Sequence, residues 1–259
     1  MNNNIILRPA YWASVSGGKD SLYMLRLILA NLDKYPLDGV VHFDLEVDYP
    51  FVNDVVNAMK YSCEQIGIPF LSIKPRNSWY ELYEKYGFPT RRARWCNSNY
   101  KLDSAKQLKE IMLANGKSVI FYIGYCADER KRFEKRKAQN ITEIYPLADF
   151  GIHESTILQW AKNEPLFNDY YKYNERCGCM FCPLASRKTY AYLAKYYPTK
   201  FNEMIELMKE SEKIYEIRYG RPFSIISSNP KYNADYLYNN ILNKHLPKLN
   251  ESEVNNHVN

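Results

Sequence analysis

The chain has no long hydrophobic run. No stretch of its 259 residues approaches the roughly 18 continuous apolar residues of a membrane span, so no transmembrane helix is expected. The opening Met1-Asn2-Asn3-Asn4 lacks the charged and apolar regions of a secretory signal, and the expected location is the cytoplasm. The excess of one charge sign is small. The formal net charge of +6 suits an anionic ligand such as a nucleotide but is too small to establish nucleic-acid binding by itself. The four histidines are scattered, and no Ser/His/Asp nucleophile arrangement is visible. There is no internal repeat. After Cys182 there is no cysteine. With hydrophobic residues at 46% and charged residues at 25%, the composition is that of a globular protein.

Six cysteines in a chain read as cytosolic argue against disulfides, since that compartment keeps thiols reduced. Metal binding or redox chemistry become the leading uses. Three of the six crowd into Cys177-Gly178-Cys179-Met180-Phe181-Cys182. Cys179 and Cys182 have the spacing that lets two thiolates of one turn reach a single metal. Cys177 is a possible third ligand, and Cys96 is the best distant candidate for a fourth. Four thiolates suit a [4Fe-4S] cluster or a structural Zn²⁺. The competing reading is a tight turn of buried free thiols.

The first half alternates apolar β-type runs with helical patterns, which predicts βαβ units and an open parallel sheet flanked by helices, a Rossmann-like α/β fold. Strands are expected at 11–15, 39–45, 69–73, 118–125 and 143–146. Helices are expected at 20–32, 51–66, 78–86, 102–114 and 155–162. From Arg187 the character changes. Tyr190, Leu193, Tyr197, Phe201, Ile205 and Met208 recur at helical spacing, with Pro198 as a break. The predicted organisation is an α/β nucleotide-binding domain over 1–186 that includes the cysteine cluster, a helical C-terminal region over 187–246, and a disordered polar tail over 247–259.

Ser16-Gly17-Gly18-Lys19-Asp20-Ser21 falls where the first strand becomes a helix. Two glycines remove Cβ atoms, so backbone N–H groups can approach phosphate oxygens. The following helix points its positive end at the anion. Lys19 adds a point charge, and Ser16 and Ser21 add hydroxyls. The spacing is not that of a Walker A loop. The hexapeptide in this setting resembles the pyrophosphate loop of the adenine-nucleotide α-hydrolase superfamily, the PP-loop enzymes.

Further segments resemble the phosphoadenosine phosphosulfate (PAPS) reductase branch of that superfamily. Phe43-Asp44-Leu45-Glu46 stands where the branch places residues near the adenosine, which marks Asp44. Arg94-Trp95-Cys96 with Lys101-Leu102 is similar to its Arg-x-Cys…Lys segment. The stretch from Gly124 to Arg132 resembles a Gly-x-Arg-x-x-Glu-Ser-x-x-Arg signature, with Cys126 for the first Arg, Arg130 for the Ser and Arg132 one position before the last Arg. Pro146-Leu147-Ala148-Asp149-Phe150 and Arg176 to Pro183 are similar to its Pro-Leu-x-Asp-Trp and Arg-x-Gly-Cys-x-x-Cys-Pro stretches, with Phe150 in place of the Trp. These segments occur in the family's order.

The resemblance implies an adenine nucleotide, ATP or PAPS, held by Ser16 to Ser21 with Asp44 and Gly124. It implies Mg²⁺, and Lys19, Asp20 and Arg132 as the groups acting on the reacting phosphate. The family's reductases carry a reactive cysteine in a C-terminal Glu-Cys-Gly motif that is missing here. The expected activity is therefore ATP activation at the α-phosphate with pyrophosphate release, for sulfur transfer. A sulfur donor protein such as a cysteine desulfurase is the implied partner. The rivals are a sulfonucleotide reductase and a non-catalytic nucleotide-binding subunit. Cys126 is either a reactive thiol facing the nucleotide or a small residue at a strand end, and Cys63 reads as core. Arg91, Arg92 and Arg94 either guide an acidic substrate or nucleic acid, or form a solvated loop.

Overall fold

The computed structural model describes residues 7–139 and 143–250. The elements run β1 (Arg8–Val15), α1 (Lys19–Leu29), β2 (Gly39–Phe43), α2 (Phe51–Glu64), β3 (Phe70–Ile73), α3 (Trp79–Tyr86), α4 (Leu102–Ala114), β4 (Lys117–Tyr122), α5 (Arg130–Ala138), β5 (Glu143–Ile144), α6 (Pro146–Asp149), α7 (Glu154–Ala161), α8 (Tyr170–Tyr173), α9 (Arg187–Tyr196), α10 (Pro198–Tyr219) and α11 (Ala234–Asn240). They form two compact units, neither continuous in sequence. The first comprises Met1–Leu45, Tyr49–Arg76 and Lys101–Cys177. The second comprises Glu46–Asp48, Asn77–Tyr100 and Gly178–Asn259.

The first unit holds a five-stranded parallel sheet in the order β3-β2-β1-β4-β5. The α/β fold with an open parallel sheet is therefore as expected from the sequence. Strand β2 is buried at four of its five residues, the run expected of a strand covered on both faces. One core cluster gathers Ala10, Trp12, Val41, Leu108 and Phe121. Burial of each large side chain there contributes about 1.5–3 kcal/mol. Helix α1 lays Leu22, Leu25 and Ile28 inward, at the spacing that puts one stripe on the core.

Two differences from the sequence reading have physical causes. Strand β4 stops at Tyr122 rather than Tyr125. Ile123 still donates to Ile144, but Tyr125 then donates back to Ile123 at 2.9 Å, turning the chain out of the ladder. The charged stretch after it is helical as α5.

In the second unit, α3 begins with a reciprocal cap. Ser78 Oγ accepts from Glu81 N–H, and the Glu81 carboxylate accepts from Ser78 N–H. Trp79 is the centre of an aromatic cluster with Tyr83, Phe88, Trp95 and Phe181. This cluster ties 77–100 to the C-terminal segment, so the boundary expected at 186/187 lies inside the second unit. Helices α9 and α10 break at Pro198, as read from the sequence. The carboxylate of buried Glu212 accepts from the backbone N–H groups of Ile225 and Ala234 at 2.9 and 3.0 Å, clasping the loop between α10 and α11. The chain stays helical through Asn250, and Leu249 is buried. The start of the expected disordered tail is thus ordered, and 251–259 lie outside the described residues.

Candidate nucleotide site

The strand order places β1 between β2 and β4, so the connections leaving β1 and β4 diverge to opposite sides of the sheet. Such a reversal opens a crevice at the carboxyl ends of the strands, where ligands bind in open α/β sheets. The loop Ser16 to Ser21 leaves β1 at that point, and the segment from Ile123 leaves β4.

The loop's geometry explains its residues. Gly17 has φ +69°, and a Cβ there would stand 2.6 Å from Val52 Cγ1. Only glycine meets both conditions without strain. Gly18 is extended and caps α1. A Cβ there would find its nearest neighbour, the Tyr171 hydroxyl, at 3.5 Å. Across the crevice, a Cβ on Gly124 would come within 3.1 Å of the Asp20 carbonyl oxygen. The two loops thus touch, backbone against backbone, where the sequence reading placed both. Ser21 is an internal brace. Its hydroxyl accepts from Ser16 N–H at 3.2 Å and donates to Gly18 O at 2.9 Å.

Lys19, read from the sequence as the loop's point charge, is paired within the protein. It is 1% exposed. Its ammonium sits 2.8 Å from Asp20 Oδ1 and 3.5 Å from Glu154 Oε1. A buried ammonium needs such counter-charges, because an unpaired one costs several kcal/mol. Its backbone N–H donates to the Tyr171 hydroxyl at 2.9 Å. Burial raises the Asp20 carboxyl above the usual carboxylate range, against the lowering effect of Lys19. Glu154 and Tyr171 were not visible as site residues in the sequence. They lie 135 and 152 positions from Lys19, and no local pattern marks them.

Cys126 is fully buried, with Sγ 3.8 Å from Asp20 Oδ1. Burial and the neighbouring carboxylates push its thiol far up, so it stays protonated and is a poor nucleophile. Arg132 ion-pairs with Glu129, and its guanidinium lies over the Tyr125 ring at 4.4 Å from the centroid. Asp44 follows β2 at the same end of the sheet. Its backbone N–H donates to Ile73 O, and its carboxylate lies 3.7 Å from Lys74 Nζ. Buried His42 faces Val15 O with Nδ1 at 3.2 Å.

The four cysteines expected to share a metal divide. Cys96, Cys179 and Cys182 belong to the second unit. There the Cys179 thiol is pushed up by its hydrogen bond with Cys182 and by burial, and the Cys96 thiol is pushed up by burial and by Cys182. Cys177 belongs to the first unit. Its Cβ lies 3.8 Å from the place a Gly18 Cβ would take, and its thiol hydrogen-bonds with the Tyr171 side chain. Among the described residues, no three His, Cys, Asp or Glu side chains gather as a metal-binding group. Cys177 packs on the loop between β1 and α1.

Residues 10–185 match the family described as the phosphoadenosine phosphosulfate reductase domain. The chain belongs to this family. It is 30% identical over 210 residues to an uncharacterized protein of Methanocaldococcus jannaschii, across 76% of this chain and 47% of that protein. The chain thus spans about half the length of this relative. Among solved structures it is similar to a PAPS reductase from Candida auris in its phosphate complex. That match has a TM-score of 0.39 and 13% identity, over 66% of this chain and 81% of the other. It is also similar to a U34-tRNA thiolase from Methanococcus maripaludis with its [4Fe-4S] cluster. Here the TM-score is 0.40 and the identity 15%, over 83% and 75% of the two chains. The PAPS reductase family, read from the motifs, is shown for this chain by the family match over residues 10–185. No described helix is long and apolar enough to cross a membrane.

Proposed function

We propose that this protein binds ATP in the crevice between β1 and β4, acts at the α-phosphate and releases pyrophosphate, activating an acceptor for sulfur transfer. The observation that carries this reading is the contact between the Gly17–Gly18 loop and Gly124 at the strand-order reversal. The crevice there is floored by backbone and helix N-terminus, with Lys19 and Asp20 at its edge. The positive N-terminus of α1 and the Lys19 charge suit a polyphosphate. An acceptor oxygen would form a bond to the α-phosphorus as the bond to the bridging oxygen breaks. The electron pair leaves on pyrophosphate, and Lys19 and the helix N-terminus would stabilise the growing charge. Mg²⁺ enters as part of the MgATP substrate, and Asp20 is the carboxylate placed to orient the loop or that ion. A persulfide-bearing donor, such as a cysteine desulfurase, would then attack the activated acceptor carbon and displace AMP, and a second thiol would reduce the resulting disulfide to free the donor.

A sulfonucleotide reductase needs a thiolate that can move onto sulfur. Cys126, held protonated against Asp20, does not supply one. The test is pyrophosphate release from ATP by the wild-type protein and Lys19→Ala, with acceptor and donor fractions supplied. Release that depends on Lys19 supports the reading. Sulfite formed from PAPS with a thiol donor, without pyrophosphate from ATP, would overturn it in favour of reduction.

A further inference from the structure

Beside the phosphate loop lies an open cleft of about 600 Å³, formed by the segment after β4, the start of α5 and Arg176. We propose that this cleft, continued by α5, binds a nucleic-acid strand. The walls carry Arg130, Lys131, Arg132 and Arg176. The three arginine side chains are 77%, 55% and 71% exposed in that order. Three carboxylates share the cleft, and each is already engaged. Glu129 accepts from Cys126 N–H and pairs with Arg132, Glu134 pairs with Arg130, and Asp128 accepts from Glu154 N–H. Helix α5 then extends the positive surface with exposed Lys135, while half-buried Arg136 is paired with Glu143.

The lining argues against a small neutral acceptor. Small-molecule sites are enclosed clefts with few charged groups, whereas this cleft is open and every residue lining it carries a charge. A row of cations running out of a cleft fits a repeating phosphate backbone. Arg132 stacked on Tyr125 adds a flat cationic surface of the kind on which bases lie. The cleft is also wired to the phosphate loop. One carboxylate oxygen of Glu154 reaches Arg176 and the other reaches Lys19, at 3.3 and 3.5 Å. A strand in the cleft would bring its atoms next to the nucleotide, as an acceptor. That role rests on the function proposed above, but the binding itself is measured without ATP.

The experiment is fluorescence anisotropy with short labelled RNA and DNA, as single strands and duplexes, across a salt series. Measurable binding is expected for at least one form, with the logarithm of the affinity falling linearly with the logarithm of salt. The double variant Lys131→Glu/Lys135→Glu should weaken it at least tenfold and reduce the single-strand salt slope by about 1.4, for two contacts of about 0.7 each. ATP affinity of this variant, by calorimetry, should match the wild type. No binding at low salt, or equal affinity of variant and wild type, would overturn the inference. Retained oligonucleotide binding without any ATP binding would support it while defeating the nucleotide reading.

Discussion

Gly17 and Gly18 are neighbours in one loop, yet alanine should affect them in opposite ways. At Gly17 the φ of +69° puts an L-residue in the left-handed region at about 1–2 kcal/mol. The new methyl would also meet Val52 Cγ1 at 2.6 Å, in an overpacking contact of about 1–3 kcal/mol. Together Gly17→Ala should destabilise by about 2–5 kcal/mol. At Gly18 the backbone is already extended, with φ −86° and ψ 167°, and the nearest neighbour stands at 3.5 Å. Gly18→Ala should therefore be neutral, or stabilise by up to about 1 kcal/mol by restricting the unfolded chain.

Urea unfolding of both variants measures the contrast. In a Val52→Ala background the Gly17→Ala penalty should shrink to the left-handed portion, about 1–2 kcal/mol. Equal penalties at the two glycines, or a Gly17 penalty indifferent to Val52, would refute the reasoning. ATP affinity gives a separate readout. Gly18→Ala should weaken it despite intact stability, since the added methyl stands where the loop's backbone would approach phosphate.

Tyr171→Phe removes the acceptor of the buried Lys19 N–H and should destabilise by about 1–3 kcal/mol; an unchanged thermal midpoint would count against that hydrogen bond. Cys63, buried and pushed up to about 11, and Cys126 should resist iodoacetamide in the native protein, while all six free thiols react after unfolding. Mass spectrometry showing prompt native alkylation of Cys126 would contradict its burial against Asp20. Burial lowers the His42 imidazole below its ordinary 6.5. Below that pH the unfolded chain binds a proton that the folded chain refuses, so this contribution is complete above about 6.5 and falls as the medium is acidified towards the folded pKa. The urea midpoint should drop over that range, and His42→Gln should flatten the slope; an unchanged slope would assign the acid sensitivity elsewhere.

The sheet and its loops were legible because their signals are local. Periodicity and the Asn115-Gly116 stop placed α4 at the residues observed. The hexapeptide at 16–21 placed the phosphate loop at the β1–α1 junction. Gly124 was marked by its motif, and the structure shows why glycine stands there, against the Asp20 carbonyl. What escaped is tertiary. Glu154 and Tyr171, which hold Lys19, lie 135 and 152 positions from it, and no local pattern announces them. Spacing along the chain likewise does not reveal that Cys177 turns to Gly18 and Tyr171. The stretch 77–100 looked like part of the sheet domain, because its partner Phe181 lies far along the chain.

The central claim is that ATP binds through the loop at Lys19. Calorimetric titration of a non-hydrolysable ATP analogue into the wild-type protein and Lys19→Ala tests it most directly. One charge-assisted contact contributes about 1.5–3 kcal/mol, so the variant should bind at least tenfold more weakly while remaining folded. Equal affinity in a folded Lys19→Ala variant would contradict the claim.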